Sequence, residues 1–167
     1  IARPWALELE YTRDMMLALL LWPAPRWPRN VLLIGLGAAS LPKFLYRHRP
    51  GAALTVVEIE PAVVRVATQS FRLPDDPRRL AVEIADGHDY VAATHRRFDL
   101  ILVDGYDAKC RVGMLDTLAF YCNCRARLTE QGLLVTNFLN RHRALASSLK
   151  RMDEAFDARA CALPACE

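Results

Sequence analysis

The chain has 167 residues, of which 53% are hydrophobic and 25% charged, with a formal net charge of +3 at pH 7. That length and apolar content suit one domain around one core and exclude a disordered chain. The basic residues come in small groups (Arg47 to Arg49, Arg78 and Arg79, Arg96 and Arg97, Arg141 to Arg143) separated by acidic and apolar stretches, which points to a solvated surface and away from nucleic acid.

From Pro4 to Trp22, Leu7, Tyr11, Met15, Ala18 and Leu19 recur at helical spacing and predict an amphipathic helix. Its apolar stretch, Met15 to Trp22, is too short to cross a bilayer, and no signal-peptide pattern precedes it. No membrane is expected, and the cytoplasm is the expected compartment. Pro23 to Asn30, with three prolines, reads as a linker. Val31 to Ile34 is an all-apolar run stopping at Gly35, as for a parallel strand buried on both faces. A helix on Leu41, Phe44, Leu45 and His48 follows, then a strand from Leu54 to Val57 ending at Glu58, and a helix opened by Pro61. Leu80 to Ile84 predicts a third strand ending near Asp86, His88 to Thr94 a short helix, and Phe98 to Val103 a fourth strand closed by Asp104. Beyond a loop from Gly105 to Gly113 the pattern predicts a helix from about Leu115 to Leu128, a turn at Gln131 and Gly132, a strand from Leu133 to Phe138, a helix from Ala144 to Phe156 and a sixth strand over Ala158 to Leu163.

Strands alternating with helices at short intervals predict an α/β fold with a mostly parallel sheet and helices on both faces. Residues 1–30 read as an N-terminal helix and linker, and residues 31–167 as a Rossmann-like nucleotide-binding domain, together one compact unit. The five cysteines, Cys110, Cys122, Cys124, Cys161 and Cys166, form no CxxC pair and have no histidines at ligand spacing, so free thiols are expected and no metal. The first residue is Ile1 and the last residues lie in an apolar stretch, which suggests part of a longer chain.

The glycines of Gly35-Leu36-Gly37 end a buried strand and open a helix, where backbone can approach a ligand and the helix N-terminus faces it, although a plain tight turn has the same signature. About twenty residues on, Glu58 ends the second strand, where a carboxylate can accept two hydrogen bonds from a ribose diol. Asp86 ends the third strand and could accept from an adenine amino group or cap the next helix. Ligands of open α/β sheets bind outside the carboxyl ends of the strands, so Gly35, Glu58, Asp86 and Asp104 should share one crevice. Asp104 and Asp107 suit an amine chemically, one carboxylate accepting a proton and the other attracting a charged nitrogen; they equally suit a loop using Asp and Gly for turn geometry.

The stretches Gly35-Leu36-Gly37, Val57-Glu58-Ile59-Glu60-Pro61, Ala85-Asp86-Gly87 and Asp99-Leu100-Ile101-Leu102-Val103-Asp104-Gly105-Tyr106-Asp107 resemble, in order and spacing, the motifs of the polyamine aminopropyltransferases, the spermidine synthase family, within the class I methyltransferase-like superfamily. The resemblance implies aminopropyl transfer from decarboxylated S-adenosylmethionine to a small amine such as putrescine. It places the base on Asp104 and the amine on Asp107, Tyr106 and Tyr11, the last of which suits a core position as well. The nucleotide falls on Gly35, Gly37, Glu58, Ile59, Asp86 and Gly87.

The first three motifs occur in many methyltransferases too, so methyl transfer from S-adenosylmethionine and a non-catalytic nucleotide-binding relative are the alternatives. The chain departs from the family at Ala39, where a further glycine is usual, and at Gly105 and Tyr106, where small hydroxyl residues are usual. The family's N-terminal β-domain is absent from these residues, which leaves a homodimer open.

Overall fold

The computed structural model describes residues 5–21, 27–106, 113–138 and 142–163. Five parallel strands, β1 (Asn30–Ile34), β2 (Ala53–Glu58), β3 (Leu80–Ile84), β4 (Phe98–Val103) and β5 (Leu128–Thr136), form one sheet in the order β3-β2-β1-β4-β5. Val31 to Ile34 pair with Leu54 to Val57 on one side and with Leu100 to Val103 on the other, so β1 is central. A strand covered on both faces has no polar side to show, and the four residues Val31 to Ile34 are accordingly apolar and at most 3% exposed. Val31 and Leu33 pack with α1 (Glu10–Met15), α2 (Ala18–Leu21), α3 (Ser40–His48) and α4 (Pro61–Ser70). Leu32 and Ile34 pack with α5 (Gly87–Ala93), α6 (Leu118–Arg127) and α7 (His142–Ala155). The α/β fold with helices on both faces is therefore as expected, and the strand order reverses between β1 and β4, where such sheets open a crevice.

Several boundaries differ from the sequence expectation. The N-terminal helix is two short pieces, because the amides of Met16, Leu17, Leu19 and Leu20 bond three residues back and tighten the chain between and through them. The helix expected from Leu115 starts at Leu118, where the Thr117 hydroxyl accepts from the Phe120 amide (3.2 Å); a 3₁₀ turn, Gly113–Asp116, precedes it. The predicted turn at Gln131 and Gly132 is a bulge within β5: Phe98 pairs with Leu128 and Leu100 with Leu133, so residues 129–132 stand opposite Asp99 alone. Gly132 fits there because a Cβ would lie 2.9 Å from Leu128. Among the described residues no sixth strand forms; Asp157 and Ala158 take φ of 54° and 57°, turning the chain out of α7.

The parallel topology gathers residues that are far apart in sequence. Arg29 leads into β1, Arg49 into β2, Arg79 into β3, Arg97 into β4 and Arg127 into β5, so arginines line the edge at which the strands begin. The Arg79 guanidinium donates to the carbonyls of Tyr46 (3.0 Å) and Arg49 (3.2 Å) at the end of α3 and lies over the Tyr46 ring. Arg127 likewise donates to Val91 and Ala92 at the end of α5. No helix among the described residues is long and apolar enough to cross a membrane.

Candidate active site

At the opposite edge the chain leaves β1 through Gly35, whose φ of +96° few side chains tolerate. A Cβ on Gly35 would lie 2.4 Å from the Asp104 carbonyl oxygen, so the backbones of the β1 and β4 tips touch where only glycine fits. Gly37 is different: its φ is +49°, but a Cβ there meets nothing within 4 Å. Ala39 also adopts a left-handed conformation, with φ 59° and no exposure, at the position where the family usually has glycine. It precedes α3 with no side-chain cap for the first amides of that helix.

Glu58, 8% exposed, folds under this loop. Its Oε2 accepts from the Leu36 amide (2.9 Å) and its Oε1 from the Glu60 amide (3.0 Å), and each oxygen keeps a further lone pair. Ile59, next to it, is 64% exposed. Glu60 caps α4 through the Ala62 amide, and Asp86 caps α5 through the amides of His88 (2.7 Å) and Asp89 (3.4 Å). The capping alternative for Asp86 is thus realised on Oδ1, while Oδ2 accepts no hydrogen bond among the described residues. Asp86, His88 and Asp89 bring ligand-type atoms within 4.8 Å of one another, an arrangement accounted for by the cap and by the contact of His88 Nδ1 with Asp89 (3.0 Å).

Asp104 is the most elaborated of these groups. Its Oδ2 accepts from the Tyr11 hydroxyl (3.2 Å) and its Oδ1 from Asn137 Nδ2 (2.9 Å), and the Tyr106 hydroxyl donates to the Asn137 carbonyl oxygen. Burial pushes the Asp104 carboxyl above its usual value of 3.8, and the bonds from Asn137 and Tyr11 offset that only in part. Tyr11 is pushed up to about 12, by burial first and then by the adjacent Asp104 charge. Two neutral donors therefore hold one half-buried carboxylate in a fixed orientation, and among the described residues no ion pair competes with a proton for it.

The structure brings Gly35, Glu58, Asp104, Tyr11 and Tyr106 together, with Gly37, Ile59, Asp86 and Gly87 on the same edge; Asp107 lies outside the described residues. Asn137 was missed in the sequence, although it follows β5 as Asp104 follows β4, and the strand-tip rule applied once more would have found it. Leu115 was missed too, and nothing in its local sequence signals it: a Cβ on Gly105 would lie 2.8 Å from Leu115 Cδ1, and one on Gly87 3.4 Å from its Cδ2. An apolar depression of about 390 Å³ adjoins the glycine loop, lined by Gly37, Ala38, Ala62, Val63, Val66 and Phe71; none of the carboxylates lines it.

The family model of the spermine/spermidine synthase domain matches residues 10–163. The chain belongs to the spermine/spermidine synthase family. A polyamine aminopropyltransferase of Chromobacterium violaceum is 36% identical over 162 residues, covering 97% of this chain and 61% of that protein. Human methyltransferase-like protein 13, solved in complex with SAH, superimposes with a TM-score of 0.80 at 29% identity, covering 87% of this chain and 72% of the other. A spermidine synthase solved with the transition-state analogue AdoDATO shares the fold, with a TM-score of 0.76 at 24% identity over 89% of this chain and 52% of that one. This spermine/spermidine synthase family chain therefore spans about three-fifths of the length of the curated relative it matches.

Proposed function

We propose that the chain catalyses transfer of an aminopropyl group from decarboxylated S-adenosylmethionine to a small amine such as putrescine, with Asp104 as the base. The observation that carries this reading is the half-buried Asp104 carboxylate, held by Tyr11 and Asn137 where the strand order reverses, in a chain of this family. The residues present fit the donor. Gly35 and Gly37 put no side chain into the loop, Glu58 keeps a lone pair on each oxygen for the ribose hydroxyls, and exposed Ile59 offers an apolar surface to the adenine. Asp86 Oδ2 and the Gly87 backbone stand on the adenine side.

In the reaction the amine nitrogen attacks the carbon beside the sulfonium, a C–N bond forms, and the C–S bond breaks with its electron pair staying on sulfur as methylthioadenosine. The nitrogen enters protonated at neutral pH, and Asp104 accepts the proton it must lose. Asp107 anchors the far nitrogen, and Tyr106, reaching from the tip of β4 to Asn137, shapes the amine pocket where the family has small hydroxyl residues. Sedimentation reads whether the chain forms a homodimer.

Incubation of the chain with decarboxylated S-adenosylmethionine and putrescine should yield methylthioadenosine and an aminopropylated amine in equal amounts by mass spectrometry. The similarity to human methyltransferase-like protein 13 favours the second reading, methyl transfer. Calorimetry separates them: tighter binding of S-adenosylmethionine than of its decarboxylated form would move the assignment to a methyltransferase. Binding of either with no turnover of any amine would leave a nucleotide-binding relative.

A further inference from the structure

Asp116 ends the 3₁₀ turn Gly113–Asp116, and its side chain is only 18% exposed. Three donors from two helices converge on it. Oδ1 accepts from the Tyr121 hydroxyl of α6 (2.7 Å), and Oδ2 accepts from the Ser148 hydroxyl (2.7 Å) and the Arg151 guanidinium (2.5 Å) of α7. Ser148 is 1% exposed and Tyr121 is fully buried, so this node lies within the layer that covers one face of the sheet. A partly buried ion pair of this kind adds little stability over apolar packing, but it fixes geometry, because each bond has a direction.

What it fixes is the adjacent residue. Leu115, half-buried against the core that holds Ile34 and Phe120, rests on Gly105, just past β4, and touches Gly87, just past β3. Gly105 leaves the space that Leu115 occupies, since a Cβ there would lie 2.8 Å from Leu115 Cδ1, whereas Gly87 makes room for Ile34, whose Cγ2 a Cβ would meet at 2.4 Å. We infer that Asp116 is a positioning residue for the crevice: tied to α6 and α7, it holds Leu115 against Gly105 and beside Gly87, and so sets the wall that the turns after β3 and β4 present to the crevice. The consequence for binding rests on the proposed function, in which the nucleoside occupies that crevice.

The test is a double-mutant cycle read by calorimetry with 5′-methylthioadenosine. Asp116→Asn and Leu115→Ala are each expected to weaken binding at least fivefold, and the double variant to bind no more weakly than Leu115→Ala alone, because Asp116 acts through Leu115. Losses that multiply, or a wild-type Kd for Asp116→Asn, overturn the inference. If Asp116→Asn does not fold, Ser148→Ala removes the bond to Asp116 (2.7 Å) together with the one Ser148 accepts from Arg151 (3.2 Å), leaves the Tyr121 and Arg151 bonds to Asp116, and is expected to weaken binding at least twofold with the same non-additivity. Phe98→Leu, which loosens the buried far end of β4, is expected to lower Tm and leave Kd unchanged; an equal loss of affinity there would reduce the Asp116 effect to general destabilisation. A wild-type chain that binds no nucleoside defeats the functional reading alone. The Leu115 methyl NMR signals then decide the positioning role: one ordered conformer in the wild type and averaging in Asp116→Asn are expected, and identical methyl order in both overturns it.

Discussion

The two edges of the sheet carry opposite charges and use them differently. Where the strands begin, α3 and α5 end, and Arg79 and Arg127 spend their guanidinium donors on the last carbonyls of those helices. Where the strands finish, α4 and α5 begin, and Glu60 and Asp86 cap their first amides. In a parallel α/β fold every helix presents its positive end to one edge and its negative end to the other, so this polarity follows from topology and the helix dipole. It is not evidence of a site. What sets the crevice apart is the pair of carboxylates that cap no helix: Glu58 under the glycine loop and Asp104 between Tyr11 and Asn137.

Variants at the two edges should therefore fail in different ways. Gly35→Ala is expected to have the largest effect, because its Cβ would meet Asp104 backbone that cannot rotate away. We expect about 3 kcal/mol of lost stability from overpacking and strained φ together, and turnover below detection. Gly37→Ala, in open space, should cost only about 1 kcal/mol, so equal damage at the two glycines would contradict the close approach. On the opposite edge, Arg79→Met should cost about 2 kcal/mol in chemical denaturation, from the lost α3 cap and the Tyr46 ring contact, while kcat of the folded protein stays at the wild-type value.

Asp104→Asn should do the reverse, raising Tm at pH 7 while cutting turnover. The folded protein holds the Asp104 proton more tightly than the unfolded chain does. The side chain therefore contributes to stability only while protonated; that contribution is complete below 3.8 and is lost as pH rises through the raised value, so at pH 7 the ionised group is a cost. The Tm advantage of the variant should accordingly shrink toward acid pH in calorimetric scans. The smallest effect is expected at Ala39→Gly, which relieves the left-handed strain at the start of α3 and should gain about 0.5 kcal/mol, read as a Tm rise of about 1–2 °C.

The central sheet was legible because strands buried on both faces have to be apolar throughout, as Val31 to Ile34 and Leu100 to Val103 are. The carboxylates at the strand tips were legible because the fold rule places ligands there. What escaped depends on contacts that no local pattern encodes. The bulge at Gly132 is set by Leu128 and Phe98, and Leu115 by space left at Gly105 in another motif; the late start of α6 is the exception, because Thr117, three residues before Phe120, is a local capping signal. Asn137 escaped for another reason: a neutral amide after a strand carries no charge signal, yet it orients the carboxylate the mechanism needs.

The most direct test is the turnover of Asp104→Asn beside the wild type, with decarboxylated S-adenosylmethionine and putrescine, from about pH 4 to 9. The expected result is a loss of roughly 10²–10⁴-fold, with the acid limb of the wild-type kcat lying above 3.8 and absent from the variant. A variant that turns over at the wild-type rate, with the same acid limb, would contradict the role of Asp104 as the base.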